Sequence, residues 1–153
     1  MSERVIELIS RGVLIQEDRL LVCRCRVRGH IFLPGGHVEF GESARAALTR
    51  EMQEELGVSL RTGPFIGACE TLLDHERKSH KKERRHHEVN LVFALLATPE
   101  EISRLSSQEP KIEFDWLPMA RLREDPAMLL PGGISPMILN QLDGESDWLS
   151  LIP

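Results

Sequence analysis

Residues 35–58 read GGHVEFGESARAALTREMQEELGV. From Ser43 to Leu56 there is neither Gly nor Pro, and Ala, Glu, Leu and Arg dominate. That composition predicts a helix stopping at Gly57. At about 100° per residue, Ala44, Leu48, Met52 and Leu56 form one apolar stripe that should face a core. Glu51, Glu54 and Glu55 fill the adjoining arc at i+3 and i+4 spacing, so their side chains converge, and Glu55 falls almost over the stripe. Three carboxylates about 6 Å apart repel by about 1–3 kcal/mol per pair. Their place in a last helical turn adds to the conflict, because negative charge is disfavoured there. An acidic run is ordinarily a solvated face. The placing of Glu55 against the stripe argues instead for a bound divalent cation, since Mg²⁺ or Mn²⁺ takes hard oxygen ligands and neutralises such a cluster.

Around this helix the chain alternates between extended runs and turns. Val5 to Ile15 is rich in β-branched residues, and the polar turn Gln16-Glu17-Asp18-Arg19 leads into Leu20 to Val27, which together read as a hairpin. Ile31-Phe32-Leu33 is a short extended piece ending at Pro34-Gly35-Gly36, where the chain must turn sharply. Phe65 to Leu73, Glu88 to Ala97 and Ile112 to Leu117 read as strands. The charged stretch Asp74 to Arg85 reads as a loop, and Ser135 to Leu142 as a short closing helix with Pro136 in its first turn. Strands dominate, so the class is α/β of the mixed-sheet (α+β) kind rather than an alternating wound sheet.

The 153 residues suit one domain with a single sizeable core, spanning residues 1–153. A formal net charge of −5 argues against a general nucleic-acid partner. No apolar run is long enough to span a membrane, and the charged start MSERVIELIS is unlike a targeting signal, so a cytoplasmic protein is expected. Cys23, Cys25 and Cys69 cannot all pair within the chain, which fits reduced thiols in that compartment.

Gly36, five residues, Glu42, seven residues, then Arg50-Glu51-Met52-Gln53-Glu54-Glu55-Leu56-Gly57-Val58 resembles the Nudix box, G-x5-E-x7-R-E-U-x-E-E-x-G-U with U aliphatic. Every defined position matches, and chance agreement at the fixed positions is on the order of 10⁻⁸ per start. The Phe114-Asp115-Trp116-Leu117-Pro118 segment is also similar to the family. The resemblance implies a mixed sheet between helices, with the box as a loop–helix–loop. It also implies metal-dependent hydrolysis of a phosphoanhydride in a nucleoside diphosphate linked to another group. Suitable substrates would be an NDP-sugar, ADP-ribose, a dinucleoside polyphosphate or a nucleoside triphosphate. Glu51, Glu54 and Glu55, with the carbonyl of Gly35, would hold Mg²⁺ or Mn²⁺, and Arg50 would position the carboxylates through its i+4 relation to Glu54. Glu42 would be a cap or first-turn acid at the helix start, and Gly36, Gly41 and Gly57 would permit tight turns. His37 stands where many relatives carry another Gly, and filling space is its ordinary role.

In the family the base that takes a proton from the attacking water is sometimes a box glutamate and sometimes a later acid. The candidate outside the box is Glu88, in His86-His87-Glu88-Val89-Asn90; a polar outward position at a strand start is the alternative. Arg11 and Arg26 lie where relatives line the substrate groove, as Gly36 does, although exposed strand arginines are common. Phe32, Phe40, Phe65 and Trp116 are the surfaces on which a base could stack, there being no Tyr. The His and Lys/Arg residues of the 74–85 stretch read as solvated loop or as a phosphate-attracting lid. No Cys/His spacing of a structural zinc site is present. A catalytically silent nucleotide sensor and an RNA 5′-end hydrolase are competing readings. The intact box weighs against the first and the acidic charge against the second. Family members are often dimers, so a homodimer is open.

Overall fold

At Leu14 the chain leaves one sheet for another. Strand β1 (Ile6–Val13) belongs to a five-stranded sheet, whereas β2 (Ile15–Gln16) pairs antiparallel with β3 (Arg19–Cys25) in a second one. The two strands turn at Glu17 and Asp18, both at positive φ (50° and 57°), the twist that a tight two-residue hairpin needs. The expected hairpin is therefore only its last two rungs, and most of the first run pairs elsewhere. A period-2 pattern reports burial of a strand and is silent on its neighbours.

The computed structural model describes residues 5–74, 85–140 and 147–150. The remaining elements are β4 (Ile31–Phe32), β5 (Gly35–His37), α1 (Ala44–Leu56), β6 (Arg61–Asp74), β7 (Arg85–Leu96), α2 (Pro99–Ser103), β8 (Ile112–Pro118), α3 (Met119–Glu124), β9 (Leu129–Leu130), α4 (Ile134–Leu139) and β10 (Asp147–Ser150). The first sheet has the order β10-β6-β7-β1-β5, with β1 parallel to β7 and antiparallel to β5. The second runs β2-β3-β4-β9, and β8 covers the other side of β3 along its whole length.

Gly35-Gly36 is thus strand as well as turn, because the chain switches sheets again between β4 and β5 and lays these glycines against Arg11 and Ser10 of β1. Two short helices, α2 and α3, were absent from the expectation. Thr98 and Glu101 form a capping box that starts α2, while a helix of five or six residues is too short to show a period. The 74–85 stretch begins and ends in strand, and 75–84 lies outside the described residues.

Two apolar clusters show how the layers pack. Leu14, Leu21, Phe93 and Leu95 meet Leu48, Met52 and Leu56 of α1 on one side. Val13, Leu20, Val22 and Val92 meet Met119 and Leu122 of α3 and Ile134, Met137 and Ile138 of α4 on the other. Consecutive residues Leu20, Leu21 and Val22 are all fully buried, each facing opposite its neighbour, so the strands between the helices are covered on both faces. The expected mixed-sheet architecture between helices is the one present. Among the described residues no helix is long and apolar enough to cross a membrane.

Candidate active site

The helix that carries the acids begins one residue later than the sequence suggests. Ser43 is its N-cap, its hydroxyl accepting from the Ala46 N–H at 3.1 Å. Glu42 therefore precedes the cap. Its carboxylate accepts from the Glu39 N–H at 2.9 Å and pairs with Arg50 rather than capping the helix, which corrects that expectation. Gly57 closes the helix in the left-handed region (φ 74°), its N–H returning to the Gln53 carbonyl. Leu48, Met52 and Leu56 are buried along the expected stripe, and Ala47 is buried beside them.

Arg50 gathers the motif. Its Nη2 donates to Glu42 at 2.6 Å and to the His37 carbonyl at 3.0 Å, while Nη1 donates to Glu51 at 3.0 Å and to Glu54 at 3.3 Å. One planar guanidinium holds the loop before the helix and two of its acids together, a task suited to its rigid fork of donors. The Glu42 bond raises the Arg50 pKa further, and Arg50 in turn holds the Glu42 carboxyl below the usual range. Glu51 is half-buried against Gly36; a Cβ on Gly36 would collide with the Glu51 carboxylate, so the glycine makes room for it. Burial lifts the Glu51 pKa above its ordinary value against the opposing pull of Arg50. Glu54 is exposed.

Glu55 is only 6% exposed. Its Oε2 accepts from the Gly35 N–H at 3.1 Å and faces the Cys23 thiol at 3.9 Å. Burial pushes its pKa up to about 7, with the Gly35 bond and Arg11 opposing. Gly35 has φ 137°, and a Cβ there would run into the Ser10 carbonyl, so no other residue lets the chain lie this close to β1.

Arg11 reaches across from β1. Its Nη1 donates to the carbonyls of Leu33 (3.0 Å) and Gly35 (3.4 Å), its Nε donates to Asn90 Oδ1 (3.2 Å), and its guanidinium lies 5.7 Å from the Phe32 ring centre. Arg11 and Gly35 are thus joined directly. Burial lowers the Arg11 pKa, while Glu55, Glu88, Cys23 and Glu51 all act to raise it. Glu88 is half-buried on β7, in register with Glu7 of β1 and Thr71 of β6. Arg26 follows β3 in the second sheet, is exposed, and pairs with Glu113 at 3.6 Å. The structure brings together Arg11, Gly35, Gly36, Glu42, Arg50, Glu51, Glu54 and Glu55, places Glu88 within electrostatic reach of Arg11, and leaves Arg26 on its own pair.

Among the described residues no three His, Cys, Asp or Glu side chains stand in a ligand arrangement, and Arg50 Nη1 pairs with both Glu51 and Glu54. The donor chemistry nevertheless fits a hard divalent cation. The acids offer only oxygen, they share one end of α1, and Glu55 is a buried carboxyl that ionises late for want of a counter-charge close enough to offset its burial. Two partners escaped the sequence reading: Cys23, whose thiol meets Glu55, and Asn90, which holds Arg11. Asn90 left a signal, a lone amide inside the apolar run Val89 to Phe93. Cys23 left none, because a small apolar residue in a strand is ordinary.

The NUDIX domain profile matches residues 8–136. Among curated proteins the chain is similar to the ADP-ribose pyrophosphatase of Methanocaldococcus jannaschii, at 28% identity over 87 residues, 55% of this chain and 47% of that protein. It is also similar to a putative 8-oxo-dGTP diphosphatase 2 of Mycobacterium tuberculosis, at 39% identity over 69 residues, 40% of this chain and 48% of that one. The chain thus spans about half the length of these curated relatives. A MutT protein from Bacillus halodurans shares the fold, with a TM-score of 0.67 at 21% identity, covering 94% of this chain and 85% of that one. The profile runs through the whole Gly35–Val58 motif and through β-strands of both sheets that position it, and the chain belongs to the Nudix family.

Proposed function

We propose that this chain hydrolyses a phosphoanhydride in a small nucleotide, a nucleoside diphosphate linked to another group, and that Glu51, Glu54, Glu55 and the Gly35 carbonyl hold the Mg²⁺ or Mn²⁺ that it needs. Nudix hydrolases generally use divalent metal ions. The observation that carries the reading is Glu55. A carboxyl so buried, fastened to the Gly35 N–H and converging with Glu51 on the glycine pair, is costly as a mere surface acid and useful beside a cation. The names of the relatives point to ADP-ribose and an oxidised deoxynucleoside triphosphate as first substrates to try. A small nucleotide handled in the cytoplasm, without nucleic acid or membrane, completes the reading.

A bound divalent cation supplies polarisation of the phosphoryl oxygens and screening of the charge that builds up on them. The chain supplies the rest. Arg50 holds Glu51 and Glu54 in place and ties them to the loop through Glu42 and the His37 carbonyl. Gly36, having no side chain, lets the Glu51 carboxylate lie against the backbone of the motif loop, on the side where the diphosphate would be held. Arg11 fixes the Gly35 carbonyl, while Arg26, exposed and paired with Glu113 in the second sheet, is given no part in this arrangement. Glu88 takes the proton of the attacking water at a carboxylate oxygen.

The test is a panel of ADP-ribose, NDP-sugars, dinucleoside polyphosphates and nucleoside triphosphates with Mg²⁺ or Mn²⁺, run on wild type and Glu55→Gln. Wild type should cleave at least one compound, and the variant should be slower by at least about a hundredfold. Binding without any product, independent of metal, would instead favour a silent sensor.

A further inference from the structure

Outside the carboxylate cluster, the described residues hold one fully buried amide whose two ends are treated unequally. Asn90 is 0% exposed in the middle of β7. Its Oδ1 accepts from Arg11 Nε at 3.2 Å, and this bond fixes the orientation of the amide, since the guanidinium can only donate. Nδ2 must therefore be the free end, and it is buried without a hydrogen-bond partner. A buried donor left unmade costs about 1–3 kcal/mol, and native proteins carry few of them.

The face of β7 that carries Asn90 leads to the candidate site. Along β7, Glu88, Asn90 and Val92 share one face of the sheet, flanked by Arg11 and Ile9 of β1 and by Thr71 and Cys69 of β6. Arg11 connects this face to Gly35, and Gly35 connects it to Glu55, so Asn90 stands two hydrogen-bonded steps from the glycine that borders the acids. The half-buried Phe32 ring lies against the same guanidinium and offers a flat apolar surface. Arg11 is the positive group beside Asn90, and Glu55, Glu88 and Glu51 already counter its charge. A second full charge gains little here. A neutral acceptor suits the amide better than a phosphate oxygen does.

We propose that Asn90 is a specificity-determining residue whose Nδ2 donates to a neutral acceptor on the nucleobase edge, a carbonyl oxygen or a ring nitrogen, of the nucleotide held at this site. Arg11 acts here as a positioning residue: by occupying Oδ1 it presents only the donor, so the position favours an acceptor atom at the point of the base edge that meets it and disfavours an N–H at that same point. The assignment takes its ligand class from the nucleotide-hydrolase reading, yet it concerns binding and can be tested without turnover.

The experiment is calorimetric titration of the full chain with AMP, GMP, CMP, UMP and ribose 5-phosphate, the last carrying a phosphate and no base. Wild type is compared with Asn90→Asp, which keeps an oxygen for Arg11 and replaces the donor by an acceptor, and with Asn90→Leu, which removes both. At least one monophosphate should bind wild type and lose about tenfold or more in affinity in Asn90→Asp, while ribose 5-phosphate binds all folded variants equally. For a substrate with the preferred base, KM should rise in Asn90→Asp with kcat changed far less. Equal losses for the nucleotide and for ribose 5-phosphate would make this a phosphate contact and overturn the proposal. Unchanged nucleotide affinity would overturn it too, leaving Nδ2 to a buried water, as would failure of wild type to bind any of the four monophosphates. If Asn90→Leu does not fold, Asn90→Asp alone decides. Failure of hydrolysis in the substrate panel together with Asn90-dependent monophosphate binding would sink the hydrolase reading and leave this one standing.

Discussion

The backbone N–H of Gly35 donates to Glu55 Oε2 across 3.1 Å, joining the strand before the motif to the last turn of the helix that ends it. The two adjacent glycines serve this junction differently. At Gly35 a side chain would meet the Ser10 backbone, which cannot yield, in a conformation (φ 137°) that L residues avoid. Gly35→Ala should therefore cost at least about 2–3 kcal/mol and lower the melting temperature by several degrees. At Gly36 the obstacle is the end of the Glu51 side chain, which can swing away. Gly36→Ala should melt near wild type, within about 1 kcal/mol, but lose most of its turnover. Thermal melts and a rate assay on both variants check the contrast.

Glu55 gives the metal-free chain a distinctive dependence on pH. Its carboxyl ionises near 7 in the folded state against an ordinary 4.5, because burial disfavours the charge. Between those values the folded state holds a proton that the unfolded state has released. Stability therefore falls as pH rises from 4.5 to about 7, by about 3 kcal/mol from this group, and stays low above that. The raised pKa of Glu51 acts in the same direction. Chemical denaturation of chelator-treated protein at pH 5 and pH 8 should show the loss, and saturating Mg²⁺ should restore stability at pH 8 more than at pH 5.

Arg50 donates to three carboxylates and a carbonyl from one guanidinium. A lysine has a single ammonium and cannot reproduce that spread. Arg50→Lys should keep its charge and its helix yet lose roughly tenfold to a hundredfold in turnover, with weaker metal dependence. A rate within twofold of wild type would show that the charge alone matters.

Glu88 lies in strand register with Glu7 and Thr71, off the helix that carries the other acids. If it takes the water's proton, Glu88→Gln should cut kcat by about 10² to 10⁴ with little change in KM. An unchanged rate removes it from the mechanism.

How much of this was readable in advance follows from the range of each signal. The helix was legible because Leu48, Met52 and Leu56 repeat at helical spacing over thirteen residues, and Glu55 beside them already looked misplaced. The split of the first hairpin between two sheets was not, since Val13 and Leu20 show the same alternation whichever strand lies beside them. Gly35-Gly36 read as a turn because glycine marks unusual backbone without saying whether it then joins a strand. Arg50 to Glu54 was visible as a local i+4 contact. The Arg11–Asn90 bond spans 79 residues and needs two parallel strands in a particular register, which no local pattern supplies. Glu42 reads from the sequence as a cap or first-turn acid, whereas Ser43 holds the cap and Glu42, just before it, pairs with Arg50.

The claim that bears the most is that the acids at the end of α1 are a divalent-cation site. It is tested most directly by titrating Mn²⁺ into the full chain at neutral pH and following free Mn²⁺ by electron paramagnetic resonance, with Glu51→Gln and Glu55→Gln alongside. Wild type should bind Mn²⁺, Mg²⁺ should displace it, and each variant, nearly identical in shape, should bind at least about tenfold more weakly. Equal Mn²⁺ affinity in wild type and both variants would contradict the account.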